Sequence, residues 1–239
     1  LSRLFKYELK RLLVNKFFLS LLIISILYSR QVMCKDIILG VANTAPFSGW
    51  SYGAYLAKVL PILLVALLFF ISFLYSKQEK SVQALTKATP IDPLRFQMLR
   101  CGAIMVAFSL IFAVPIVYSL WFYGANFHFT NFGSLALPTV ITLLTSMLFV
   151  FGAGMLGGQC HQAIIFVLIV VIILINYFPL PYAFDLFGVN FFTNYPIHLG
   201  TVEPAFFIPT TVLIGKFIYG LLGIAMMFIA SIPKKKNNS

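Results

Sequence analysis

The run CGAIMVAFSLIFAVPIVYSLWFY, residues 101–123, opens the stretch that decides the fold: from Cys101 to Phe184 the chain carries no Lys, Arg, Asp or Glu. A helix rising ~1.5 Å per residue needs ~20 apolar residues to cross ~30 Å of hydrocarbon. The quoted run suffices alone, and residues 135–156 and 163–178 supply two more spans within the uncharged stretch. Outward from it, residues 17–28 or a little beyond and 54–75 predict spans on the N-terminal side, and residues 209–232 a sixth on the C-terminal side. These runs are apolar on every face, whereas a membrane barrel would show short alternating segments. Without water in the bilayer core, each helix must satisfy its own backbone.

Composition agrees. The 239 residues are 61% hydrophobic and 10% charged, with mean hydropathy +0.98, against ~25% charged in soluble domains. The net charge of +11 does not point to nucleic acid, because the charges sit at the edges of apolar runs, where they read as topology signals. The N-terminus continues into the first span without a small-residue cleavage site, so no cleavable signal peptide is expected. Cys34, Cys101 and Cys160 are too few and too scattered for a disulfide framework or a metal site, and are expected to be inert.

The polar exceptions carry the functional information. In residues 1–16, Leu1, Leu4, Phe5, Leu9, Leu12 and Leu13 share one helical face, and Arg3, Lys6, Lys10 and Arg11 the other. That pattern predicts an amphipathic elbow helix in the headgroup region. Glu8 falls within the apolar arc, in reach of Arg11 or of the polar segment at 76–100. The first span ends early, because Arg30 and Lys35 follow it and Arg30 would have to snorkel. A loop at 30–53 precedes the second span. The segment 76–100, SKQEKSVQALTKATPIDPLRFQMLR, is a charged island between two apolar runs. Ser76 and Glu79 have capping-box spacing, predicting a short helix that ends near Ala88 because Thr89 precedes Pro90. Asp92 followed by Pro93 predicts a new helix leading into the third span. An ordinary solvated loop is the plainer reading of the same residues.

Lys and Arg set the orientation. Five lie in residues 1–16, five in 76–100 and three in the tail, against Arg30, Lys35, Lys58 and Lys216 elsewhere. Both termini and the island are therefore expected in the cytoplasm of a multi-pass plasma-membrane protein. Span counting adds the GGQCHQ turn, residues 157–162, to the same side.

The island resembles the cytoplasmic loop of ABC type-2 exporter permeases, which typically reads Glu-x-Gly-Thr, leucines, Thr-Pro and a basic residue opening the third span. Here Glu79, Ser81, Leu85, Thr89, Pro90, Asp92 and Arg100 follow that order, with Glu79 11 residues before Pro90 and Arg100 ten after it. The lead-in with Glu8, the six-span layout and the broken segment at 179–208 are similar too. Two departures stand out: Ser81-Val82 replaces Gly-Thr, and Arg100 replaces the commoner Lys.

The resemblance implies a single permease domain over 1–239, with an extracellular or re-entrant segment at 179–208. It implies that 76–100 holds a coupling helix seated in a separate ABC ATPase subunit. Glu79, Ser81, Leu85, Pro90, Arg100 and Glu8 would make that contact, and Gly158, Gln159 and His161 a second, smaller one. ATP and Mg would be bound by the partner, a second permease subunit would complete the assembly, and this chain would hold no cofactor.

Other chemistries lack their parts. No GxxxxGK[ST], HExxH or GxSG occurs, and His128, His161 and His198 map to loops, so no catalytic residues and no enzyme are expected. Spans three to five offer no carboxylate for ion coupling. Lys216 reads as snorkelling outward. Gly152, Gly154, Gly157 and Gly158 allow close helix packing, within the chain rather than between copies. Tyr177, Tyr182, Phe191, Phe192 and Tyr195 read as an outer interfacial belt around Asp185 and Glu203. The functional expectation is export of a hydrophobic or amphipathic cargo, with no substrate-binding residues assigned. The alternative is a non-transporting scaffold or bacteriocin-immunity protein that binds a partner through the island.

Overall fold

A computed structural model describes residues 2–76 and 93–231, and everything described is helix or connecting loop. Helix α1, Ser2–Leu13, half-buries its apolar arc while Arg3, Lys6, Lys10 and Arg11 face outward. It stops at a corner where Asn15 accepts the amide N–H of Phe17 (3.1 Å) and caps α2, Lys16–Val32. A π turn at Met33–Ile37 continues α2, giving a span of 22 residues, Lys16–Ile37. The span thus runs to Ile37, further than the end expected at Tyr28 or a little beyond: Arg30 and Lys35 are exposed and need not end a helix whose other face is apolar.

Helix α3, Gly49–Leu74, starts where the Ser48 hydroxyl accepts the N–H of Ser51 (3.2 Å), five residues ahead of the expected boundary. It is the bundle's axis, with buried residues around its whole circumference, and it packs against α2 and against most of the helices that follow it. That position explains why α3 is apolar on nearly every face, Lys58 excepted. Helix α4, Pro93–Phe127, runs 35 residues and begins on the proline expected to open it, where a missing N–H costs nothing.

Helix α5, Phe132–Cys160, winds up through a 3₁₀ turn and a π turn at Val140–Leu144 before becoming regular. Helix α6, Gln162–Ile175, has only 14 residues, or ~21 Å. A short helix α7, Val189–His198, sits in the loop region before α8, Thr210–Ser231. Among the described residues, five helices (α2, α3, α4, α5 and α8) are thus long and apolar enough to cross a membrane. The expected fifth span, α6, falls short of that length: it ends at Ile175, before the expected 178, and is only 14 residues long.

The contacts fix alternating directions. Phe17 at the start of α2 meets Phe69 and Phe73 at the end of α3, with ring centroids 5.4 and 5.5 Å apart. Helices α5 and α8 form the most extensive pair. They touch backbone to backbone, since a Cβ on Gly152 would overlap the carbonyl oxygen of Gly223, and one on Gly223 that of Leu148. The glycines at the end of α5 therefore serve packing inside the chain. The outward faces of α2, α6 and α8 expose Leu27, Val167, Val170, Phe217 and Leu221, a surface that suits hydrocarbon rather than water.

Candidate functional site at the basic end of the bundle

Helix α1 lies against the start of α4. Glu8 Oε2 is 3.6 Å from Arg11 Nη1 and 3.9 Å from Arg100 Nε, and Arg100 is only 4% exposed. A guanidinium held that far from water needs a counter-charge, and Glu8 supplies it from the apolar arc of α1. Arg11 and Arg100 of the polar segment, two of the partners expected for Glu8, are therefore engaged at once. The Arg100 guanidinium also sits over the Phe96 ring, 5.6 Å from its centroid.

Tyr75 ends α3 and ties it to α5. Its hydroxyl donates to the Met155 carbonyl (3.0 Å) and lies 3.7 Å from the Met155 sulfur. Burial pushes the Tyr75 phenol above its ordinary pKa, so it remains a donor at any physiological pH. The Tyr75 ring covers Gly158 so closely that any side chain there would overlap it. Beside it, the Gln159 side-chain amide donates to the Ala230 carbonyl of α8. Of the three residues expected to form a second partner contact, Gly158 and Gln159 are thus turned to contacts within the chain, and only His161 is fully exposed. The expected GGQCHQ turn contracts to His161 itself. One residue in extended conformation joins α5 to α6, and its Nδ1 accepts the Ala163 N–H (3.1 Å).

One end of the molecule thereby gathers α1, the ends of α3, α5 and α8, and the starts of α4 and α6. The segment joining α3 to α4 leaves from and returns to this end. Glu79, Ser81, Leu85 and Pro90 lie outside the described residues; Glu8 and Arg100 are brought together. Tyr75 and Met155 escaped the sequence reading, because a tyrosine at the end of an apolar run looks like one more interfacial anchor.

The opposite end corrects two expectations. Lys216 does not snorkel: it is 3% exposed, and its ammonium donates to the Leu186 carbonyl (2.7 Å), which also accepts from the Ser146 hydroxyl (2.6 Å). Asp185, 6% exposed, accepts the N–H groups of Gly188 (2.8 Å), Asn190 (2.7 Å) and Phe191 (3.2 Å), and so caps α7. The loop folds back between α5 and α8, which is why the lysine finds a partner inward. The aromatic residues do not form a simple belt either. Phe191 and Phe192 are buried, Tyr182 and Tyr195 are half-buried, and only Tyr177 is openly exposed. Their hub is Trp50, fully buried, whose indole N–H donates to the Pro204 carbonyl (3.0 Å) and whose ring lies 4.9–5.9 Å from Phe206, Phe191 and Tyr195. Glu203 stays at the surface.

Compared with known proteins, the chain matches no family model, no curated protein and no solved structure.

Proposed function

We propose that this chain is the permease subunit of an ATP-binding-cassette exporter in the plasma membrane. It works beside a second permease subunit, identical or homologous, and draws on ATP and Mg bound by a separate ATPase. In this reading α6 is a short sixth pass, both termini are cytoplasmic, and 76–100 carries the coupling helix. The uncharged, aromatic spans suit a hydrophobic or amphipathic cargo such as a peptide, a lipid-like molecule or a drug.

One observation carries the reading. The segment that would dock on the ATPase springs from Tyr75, tied to Met155 of α5, and returns through α4, whose Arg100 is paired with Glu8 of α1. A push on that segment reaches four helices at once.

The test is co-expression of the full chain with a phosphate-loop ATPase encoded beside its gene, followed by reconstitution. Cargo-stimulated hydrolysis is expected, and Glu79→Ala with Leu85→Ala should abolish the stimulation without lowering the melting temperature. Wild-type coupling in that double variant would sink the proposal. Stable association with a partner but no hydrolysis-linked transport would favour the scaffold or immunity role instead.

A further inference from the structure

The start of α4 and the ends of α5 and α8 enclose a cleft of about 150 Å³ whose lining includes Met98, Cys101, Met155 and Met227. Four sulfur side chains from three helices thus converge on one small space. Cys101 Sγ and Met155 Sδ are 3.9 Å apart. Two metal–sulfur bonds of ~2.3 Å meeting at ~115° place their sulfurs ~3.9 Å apart, so the pair, now in direct contact, could share one ion without moving apart. The Tyr75 hydroxyl donates to the Met155 carbonyl and lies 3.7 Å from its sulfur, so it fixes the backbone that carries this thioether. Met98 is 63% exposed and sits at the mouth, where an unbranched, flexible side chain can swing onto an entering ion.

We infer that this cleft is a binding site for a soft monovalent cation, copper(I), held by the Cys101 thiolate and the Met155 and Met227 thioethers, with Met98 at the entrance. Thiolate and thioether ligands select copper(I), whereas hard divalent cations require oxygen. On binding, the Cys101 thiol releases one proton as its sulfur forms the copper bond. Copper remains in the +1 state, and nothing is oxidised or reduced. The site stands apart from the transport reading, and failure of ATPase coupling would leave it untouched.

The experiment uses the full chain in detergent micelles under anaerobic conditions. Cys34→Ser and Cys160→Ser remove the two exposed thiols, leaving Cys101 as the only one. Copper(I) is titrated in competition with bicinchoninate. One ion per chain is expected, with an X-ray absorption spectrum showing only sulfur neighbours at ~2.3 Å. Cys101→Ser should weaken binding by at least the ~10–100-fold typical of losing an outer-shell partner, and Met155→Leu should weaken it as well. Helical circular dichroism and elution volume check that each variant is folded. If Cys101→Ser fails to fold, Met155→Leu combined with Met227→Leu decides in its place. No copper retained against the chelator, a nitrogen- or oxygen-dominated shell, or unchanged affinity in the folded variants would overturn the inference and leave Cys101–Met155 a packing contact.

Discussion

Asp185 and Lys216 are both buried, yet removing them should have very unequal consequences. In Asp185→Ala, the buried N–H groups of Gly188 and Phe191 and the half-buried one of Asn190 lose their acceptor. Loss of a helix cap costs ~0.5–2 kcal/mol, and a buried donor left unsatisfied costs ~1–3 kcal/mol. The Lys216 ammonium, which donates to the Leu186 carbonyl of the loop that Asp185 organises, would also be left short of its acceptor as that loop loosens, at a further ~1–3 kcal/mol. These losses overlap, so we expect ~4 kcal/mol in total, or nearly three powers of ten in the unfolding equilibrium.

Lys216→Met removes a charge instead of stranding one. The Leu186 carbonyl keeps the Ser146 hydroxyl as donor, and an apolar side chain of similar length fills the space. Exchanging a buried ion for a well-packed hydrophobe is often neutral, so the expected change lies within ~1 kcal/mol. In the Lys216→Met background, Asp185→Ala should then cost less than it does alone, because no ammonium is left behind. Equilibrium unfolding in mixed micelles, followed by circular dichroism for the two single variants and the double, measures all three terms. If Lys216→Met proves as damaging as Asp185→Ala, or the two losses simply add, the lysine is not held by this loop as described.

Two further outcomes follow from packing and charge. Gly152→Ala drives a methyl group into the Gly223 backbone, whereas at Gly154 the nearest atoms are the flexible ends of Leu68 and Ile71. Overpacking should cost ~2–3 kcal/mol at Gly152 and under ~1 kcal/mol at Gly154, which thermal melts of the two variants will rank. Glu8→Lys replaces attraction with repulsion beside Arg100 and Arg11; between the surface and buried limits for ion pairs this costs ~2 kcal/mol. Helix α1 should lift from α4, and trypsin cleavage at Lys6, Lys10 and Arg11 should accelerate ~30-fold. An unchanged digestion rate would mean that the apolar face alone holds α1.

The helices were legible in the sequence because hydrocarbon thickness and apolar run length are local quantities. So was the face of α1 that turns inward, and the proline that opens α4. Ends of helices were less legible. Arg30 and Lys35 suggested an early stop, but a charge at the edge of a span can stand on an exposed face while the backbone continues, here to an ion pair between Asp36 and Lys58 (2.9 Å). Long-range partners were not legible. Nothing in the local sequence says that Lys216 meets a loop 30 residues earlier, that Trp50 is capped by Pro204, or that Cys101 lies beside Met155. Each of these depends on how the segment after α6 folds back, or on which helices cross at which height, and periodicity carries no such information.

Helix α4 has the proportions of a lever. Its 35 residues make a rod of ~52 Å, and Pro115 interrupts its hydrogen-bond ladder partway along, where helices bend most readily. The Tyr55 hydroxyl of the central helix donates to the Pro115 carbonyl (3.0 Å) and pins the rod at that height. Arg100 lies ~22 Å to one side of the pin and Phe127 ~18 Å to the other. A tilt of ~10° about this fulcrum would carry the arginine end ~4 Å one way and the aromatic end ~3 Å the opposite way. One tyrosine and one proline thus mark the height at which the two ends of α4 are joined: held straight there they move in opposite directions, bent there they move separately.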